Sequence, residues 1–147
     1  MEANCAVLIH PEDPEYAAFL DGFMDFETRP VLEEDVPEAQ QGFFRVLDMI
    51  DEPDTVVRDG DCWLLDYDVV PMRDPGETVR ETAGPFVEAG AARVLVWLSV
   101  ETEVSVIEAS WKDGQVRMGT RKVPEGAGEE AETSFEALRA IKQAYVG

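Results

Sequence analysis

The sequence predicts an α+β domain: a largely antiparallel sheet, ending in a three-strand meander, with helices packed on one face. Three observations carry that expectation. Three extended stretches, 92–100, 103–111 and 115–122, follow one another through links too short for a crossover helix, so they must pair antiparallel. The whole chain reads β-α-α-β-β-α-β-β-β-α, without the regular β-α alternation that builds a parallel sheet. Its 147 residues, 45% hydrophobic and 30% charged, suit a single domain, 1–147, able to bury its own core.

Each element has a local reason. "NCAVLI" (4–9) is a short buried strand closed by "HPEDP". Asp13 then N-caps a helix with Pro14 at its first position, and Tyr16, Phe19, Leu20 and Phe23 form one apolar stripe at i, i+3, i+4 and i+7. After the connector "ETRPVLEED", Asp35 and Glu38 have capping-box spacing for a second helix, with Ala39, Phe43, Val46, Leu47 and Ile50 inward. "TVVRDGDCWLLDYDVV" is two strands around Asp59-Gly60, a type I′ turn pair. A third helix begins at Asp74-Pro75 and ends at Gly90, with Val79, Phe86 and Val87 inward; Gly84-Pro85 should kink it or split it. In the meander, "KDGQ" makes the tight turn, and apolar residues on both sides of 93–100 make that strand central. Thr133 and Glu136 cap a last helix with Phe135, Leu138, Ile141 and Tyr145 inward.

Composition narrows the function classes. No apolar run approaches the roughly 18–20 residues that span a bilayer. The start, "MEANCAVLIHPEDPEY", has acids where a signal peptide has a basic region. Cys5 and Cys62, both in apolar surroundings, read as buried reduced thiols of a cytoplasmic protein. Nothing calls for a cofactor. Net charge is the outlying property: −20, from 12 Lys+Arg and 32 Asp+Glu. Residues 1–60 hold 16 of the acids and only three bases, Arg29, Arg45 and Arg58. Such a charge far exceeds the magnitude of about 2–8 that serves solubility in a small domain. It reflects an acidic proteome, solubility alone or a cationic partner, and it disfavours nucleic acid, whose phosphates would be repelled.

Two aspartates in "WLLDYDVV" (63–70) raise a catalytic alternative. On a strand, Trp63, Leu65, Tyr67 and Val69 share one face, while Cys62, Leu64, Asp66 and Asp68 share the other. Carboxylates at i and i+2 lie about 7 Å apart at Cα and could share a hard cation. The segment resembles the DxD of nucleotide-sugar glycosyltransferases and the first motif of haloacid-dehalogenase-type phosphatases, whose first Asp is the nucleophile. The resemblance implies a small metal-dependent hydrolase or transferase using Asp66 and Asp68. A phosphatase would also want a parallel α/β sheet and a downstream lysine, yet no lysine lies between Asp68 and Lys112. A glycosyltransferase domain is normally much longer. The plainer expectation is a solvated strand face without catalysis or metal.

His10 is the only histidine and stands before Pro11 at a strand end, which suits a structural role. A pairing with Cys5 or Cys62 is open, but a nucleophilic thiolate needs an electropositive setting and this chain supplies the reverse. The acidic segment 12–38 is the remaining feature, with ten carboxylates and Arg29 alone as base. Helix starts account for Glu12, Asp13, Glu15, Asp35 and Glu38. They do not account for Asp21, Asp25, Glu27, Glu33 or Glu34.

The expected partner surface is therefore Asp21, Asp25, Glu27, Glu33, Glu34 and Asp35. It would face a basic protein, a nucleic-acid-targeting toxin domain being one such partner. In size, charge and lack of catalytic residues the chain resembles bacterial immunity proteins and antitoxins. An accessory or self-associating protein, including a homodimer, is the alternative. Lys112, Arg117, Arg121 and Lys122 of the last hairpin would then form a countersurface.

Overall fold

A computed structural model of the chain describes residues 2–48, 50–71, 74–90, 93–100, 103–123 and 134–146. It contains strands β1 (Glu2–His10), β2 (Thr55–Asp59), β3 (Cys62–Pro71), β4 (Arg93–Val100), β5 (Glu103–Lys112) and β6 (Gln115–Arg121). Helices α1 (Pro14–Phe23), α2 (Gln41–Leu47), α3 (Pro75–Ala89) and α4 (Ser134–Val146) accompany them. The strands form one antiparallel sheet in the order β2-β3-β1-β4-β5-β6. The α+β class and the closing meander are as the sequence predicts.

The helices, however, cover both faces. Strand alternation sends Cys5, Val7 and Ile9 of β1 into one core with Tyr16, Phe19, Leu20 and Phe23 of α1, Phe44 and Leu47 of α2, and Val79, Ala83 and Phe86 of α3. Ala6 and Leu8 enter a second core with Leu95, Trp97, Ala137, Leu138, Ala140, Ile141 and Ala144, the last five from α4. One-sided packing thus holds for α1, α2 and α3, and α4 takes the opposite face. The reason is visible in β1 and β4, apolar on both sides, which need two covers. β4 is central as expected, with Val94, Val96 and Leu98 facing one core and Leu95 and Trp97 the other.

Local chemistry explains most boundaries. Asp13 accepts a hydrogen bond from Glu15 N–H at 3.0 Å, and Asp74 accepts one from Gly76 N–H at 2.7 Å, each with proline at the first helical turn. Asp113 (φ 54°) and Gly114 (φ 74°) make the β5–β6 connection, with both central residues left-handed as a I′ turn demands. In the β2–β3 hairpin, Asp59 pairs with Cys62, so the turn is Gly60-Asp61 rather than Asp59-Gly60, with positive φ at Gly60 alone. That is the II′ pattern.

Three expectations fail for identifiable reasons. Asp35 does not start a long second helix. Val36 precedes Pro37 and is held extended (φ −106°, ψ 137°), leaving two 3₁₀ turns, Glu33–Asp35 and Glu38–Gln40, before a short α2. α3 runs unbroken through Pro85, its far side anchored by buried Ala83, Phe86 and Val87 and by the Tyr16 hydroxyl, which donates to Phe86 C=O at 2.9 Å. Phe135 is 68% exposed, and Ala137, Ala140 and Ala144 join the expected Leu138 and Ile141 in the buried stripe of α4. The cap expected at Thr133 lies outside the described residues.

Candidate functional site

Two places in the fold gather polar chemistry. The first is the acidic surface from α1 to α2. Asp21 lies on the exposed side of α1 and pairs with the Arg58 guanidinium at the end of β2. Asp25 follows that helix and accepts hydrogen bonds from the Thr28 hydroxyl and from Glu27 N–H (3.1 Å), which hold its carboxyl below the usual range. Glu27 is exposed beside it. In the first 3₁₀ turn Glu33 pairs with Arg45 of α2 at 2.5 Å, which lowers its carboxyl in the same way, while Glu34 and Asp35 stand exposed.

The six residues expected from sequence are therefore at the surface, but they are not equivalent. Two already hold an internal arginine. Arg29, the remaining base of residues 1–60, lies over the Phe23 and Phe26 rings, 4.8 and 4.6 Å from their centroids. All three bases of this half are thus engaged within the fold, and Asp25, Glu27, Glu34 and Asp35 are exposed with no ion pair among the described residues.

Sequence reading missed the apolar pair next to these acids. Val31 is 78% exposed and Leu32 53%. Asp35 N–H donates to Leu32 C=O at 3.0 Å, so the same turn that displays Glu33, Glu34 and Asp35 fixes Leu32. The available signal was that Val31 and Leu32 belong to no periodic stripe.

Asp66 overturns the expectation of a solvated strand face. It is 0% exposed. β3 is the second strand of the sheet, between β2 and β1, with Asp66 opposite both Thr55 and Ala6. It shares its face with Cys62 and Leu64, which α4 covers. Asp54 N–H donates to the Asp66 carbonyl at 2.7 Å, so the backbone here is fixed as well. The side chain of Asp68 lies outside the described residues. Among the described residues no group of three or more His, Cys, Asp and Glu is arranged to hold a metal ion.

The second place is a cleft of about 310 Å³ at the other end of β3, lined by His10, Pro11, Glu12, Ala17, Arg58, Asp61 and Trp63. The β1 end supplies His10 and Glu12, the β2–β3 turn supplies Asp61, and α1 supplies Ala17. Tyr145 of α4 stands behind it, its hydroxyl 2.6 Å from His10 Nδ1. Cys62 is also within reach of that hydroxyl, but burial raises its thiol, so it is not an activated nucleophile. Burial likewise pushes Cys5 up to about 12. His10 thus joins a polar cluster, although it reads from sequence as structural.

No protein-family model matches this chain, and no curated protein or solved structure shows a significant match to it.

Proposed function

We propose that this chain binds a basic protein partner through the acidic surface of residues 21–35 and blocks it, as immunity proteins and antitoxins do. A toxin domain acting on nucleic acid has fitting chemistry, because its basic cleft would accept carboxylates in place of phosphates. The observation that carries the reading is the exposed Val31–Leu32 pair set against Glu33, Glu34 and Asp35. Protein interfaces combine a small apolar anchor with a polar rim, and charge at the rim steers encounter. An acidic surface kept only for solubility has no use for the anchor. No helix among the described residues is long and apolar enough to cross a membrane.

Binding kinetics test this, with the partner first captured from the native host. Association should slow as salt rises, since exposed charges act over a Debye length of about 10 Å at 0.1 M. Glu27→Lys, Glu34→Lys and Asp35→Lys should lower the on-rate together. Asp21 and Glu33 are poor choices, because a lysine there would meet Arg58 or Arg45. Val31→Ser with Leu32→Ser should act on the off-rate instead. An acidic partner, or an affinity indifferent to salt and to all these changes, sinks the proposal.

One observation favours self-association as the second reading. β6 is an edge strand, and Lys112, Arg117 and Lys122 of its hairpin are exposed. A second copy could meet this hairpin with its acidic surface. Sedimentation at two salt concentrations separates the readings, because only that dimer dissociates in salt without any other protein present. The hydrolase or transferase alternative loses ground with Asp66, which offers no exposed oxygen to a substrate.

A further inference from the structure

We infer that the free edge of β6 takes up an extended strand of another protein, one that alternates acidic and apolar residues. This goes beyond the acidic-surface proposal, because the edge is a different place. The sheet ends in β2 on one side and β6 on the other, and it is Arg58 of β2 that meets Asp21 of α1.

The backbone gives the first reason. Asp113-Gly114 is a two-residue turn, so Lys112 and Gln115 close the β5–β6 hairpin as a hydrogen-bonded pair. Bonded and non-bonded pairs alternate from there. Trp111–Val116, Ala109–Met118 and Ile107–Thr120 are the pairs that exchange no bonds. The N–H and C=O groups of Val116, Met118 and Thr120 therefore point away from β5. β6 is the last strand of the sheet among the described residues, so these groups are a template for one more strand. By the same count β2 presents only Val56 and Arg58 outward from its five residues. Its Arg58 and Asp59 side chains are already held, by Asp21 and Lys142. β2 is the guarded edge.

Side chains choose the occupant. Strand alternation puts Lys112, Arg117 and Arg121 on the face away from α3, at the margin that α4 leaves open. Glu108, the acid that β5 adds to this face, is held by Arg93 at 2.9 Å. In a chain of 32 acids, the three hairpin cations have no ion pair among the described residues. Arg121 goes further, for its Nη1 is buried with no hydrogen-bond partner among the described residues. A buried guanidinium donor without an acceptor is costly. Gly119 leaves bare backbone between Arg117 and Arg121, with nothing within 4 Å of the place a Cβ would take. A carboxylate opposite Gly119 on an added strand would reach both guanidinium groups as diagonal neighbours. On the other face Val116 and Met118 are half-buried against the α3 core, so the intervening residues of that strand meet an apolar margin. A second copy's β6 would bring the same cations against these, and like charges across strands repel. The occupant is accordingly a different chain, acidic at every second position.

The test is a nuclear magnetic resonance titration of the native chain, at about 0.15 M salt, where the Debye length is about 8 Å. The probe is an acetylated, amidated heptapeptide that alternates glutamate and valine, with glutamate at both ends. Saturable shifts should centre on the Val116, Met118 and Thr120 amides, and their hydrogen exchange should slow. The same peptide with lysine for glutamate, and one with its valines N-methylated, should each bind at least about tenfold more weakly. The net charge of −20 by itself favours the lysine peptide, so a preference for glutamate must come from the edge. Lys112→Glu with Arg117→Glu should reverse that preference, and both side chains are exposed, so the fold should survive. Thr120→Pro should abolish binding. Its N–H points away from β5, the side chain is exposed and Gly119 precedes it, so the hairpin keeps its own bonds. Unchanged amide spectra in β4 and α4 would verify both variants, and the charge reversal carries the test if the proline variant unfolds. No saturable shift at those three amides with millimolar glutamate peptide would overturn the inference. Equal binding of the lysine or the N-methylated peptide would do the same. Slowed exchange at these amides as the chain's own concentration rises, without peptide, would give the edge to a second copy and overturn it too. None of the three substitutions touches residues 21–35, so the acidic-surface proposal stands or falls separately through its lysine reversals.

Discussion

The two faces of the sheet are sealed in different ways. The face under α1, α2 and α3 is filled by large groups, with Tyr16, Phe19, Phe23, Phe44 and Phe86 all buried. The face under α4 has one helix, whose contact stripe is Ala137, Leu138, Ala140, Ile141 and Ala144. Small residues let a helix lie close to its sheet, so a single helix can seal β1, β3 and β4 with little side-chain volume. The margin of that face stays open, and Ser110, Arg117 and Gly119 of the β5–β6 hairpin are exposed there. The same face also holds buried polar chemistry: Asp66, Ser99 and the Trp97 indole nitrogen. The three-helix core holds polar groups too, Thr78 and the Tyr16 hydroxyl that donates to Phe86 C=O, but no buried carboxylate among the described residues. The one-helix face holds one, Asp66, and its polar inclusions are where the comparison can be broken.

Trp97 gives the largest expected effect. It is fully buried, opposite Ala6 on β1 and Val106 on β5, and three of the five α4 residues facing its core are alanines. Trp97→Ala should destabilise by about 3–5 kcal/mol, measured by urea unfolding. Its Nε1–H, however, has no hydrogen-bond partner among the described residues. Trp97→Phe removes that unpaired donor together with some volume, so its loss should stay within about 1.5 kcal/mol. Similar losses for both variants would show that the indole nitrogen is satisfied in solution.

Much of this was legible in the sequence where the signal is local. The α1 stripe, the Asp13 and Asp74 caps and the Asp113-Gly114 turn depend on spacing within a few residues. The assignment of α4 to its own face is not local. Leu138 and Ile141 were legible as inward, but Ala137, Ala140 and Ala144 carry little hydrophobic weight, and Phe135 was wrongly added to the stripe. The burial of Asp66 followed from the same gap, because a strand face looks solvated until its cover is known. The acidic residues were legible as surface. Their internal arginines, and the exposed Val31–Leu32 pair, required the tertiary arrangement.

A pH titration sharpens the comparison from the three-helix side. Cys5 faces the three-helix core, and burial is the main cause of its shift from 9.0 to about 12, opposed by the Thr82 hydroxyl and aided by the Asp66 charge. The folded thiol therefore holds its proton in a window where the unfolded thiol has lost it. Stability from this group is fully present below about pH 9 and falls as pH rises toward 12, by on the order of 4 kcal/mol at most. Tyrosines Tyr16 and Tyr67, also raised by burial, add to the fall above pH 10. The portion between pH 9 and 10 belongs to the thiols. Cys5→Ala should flatten the stability profile there, and an unchanged slope would place the effect on Cys62.

Enlarging one alanine on each face probes how closely the covers lie. Ala137 of α4 and Ala83 of α3 are 1% and 0% exposed. Ala137→Leu should cost about 1–3 kcal/mol, because the close seating of α4 leaves no room and the helix must lift from β1. Ala83→Leu should cost a similar amount but leave α4 undisturbed. Hydrogen exchange separates the two: faster exchange in α4 for the first variant only, with α1 and α3 unaffected. Loosening of all four helices by either variant would mean that the two cores behave as one.

The smallest expected effect is at Phe135, and it tests whether the α4 cover is complete without its first aromatic. Phe135 is 68% exposed, and its ring contact among the described residues is the Arg139 guanidinium, 5.4 Å from the centroid and one turn along the helix. An exposed cation–π pair of this kind contributes about 0.5–1 kcal/mol, and serine forms helix somewhat less well than alanine. Phe135→Ser should therefore shift stability by less than about 1 kcal/mol, against the several expected at Trp97 on the same face. Arg139→Gln should produce a change of the same small size, and the double variant should cost no more than either alone. A loss above about 2 kcal/mol for Phe135→Ser would mean that the ring is buried in solution. The covering layer of the α4 face would then extend beyond the alanine stripe.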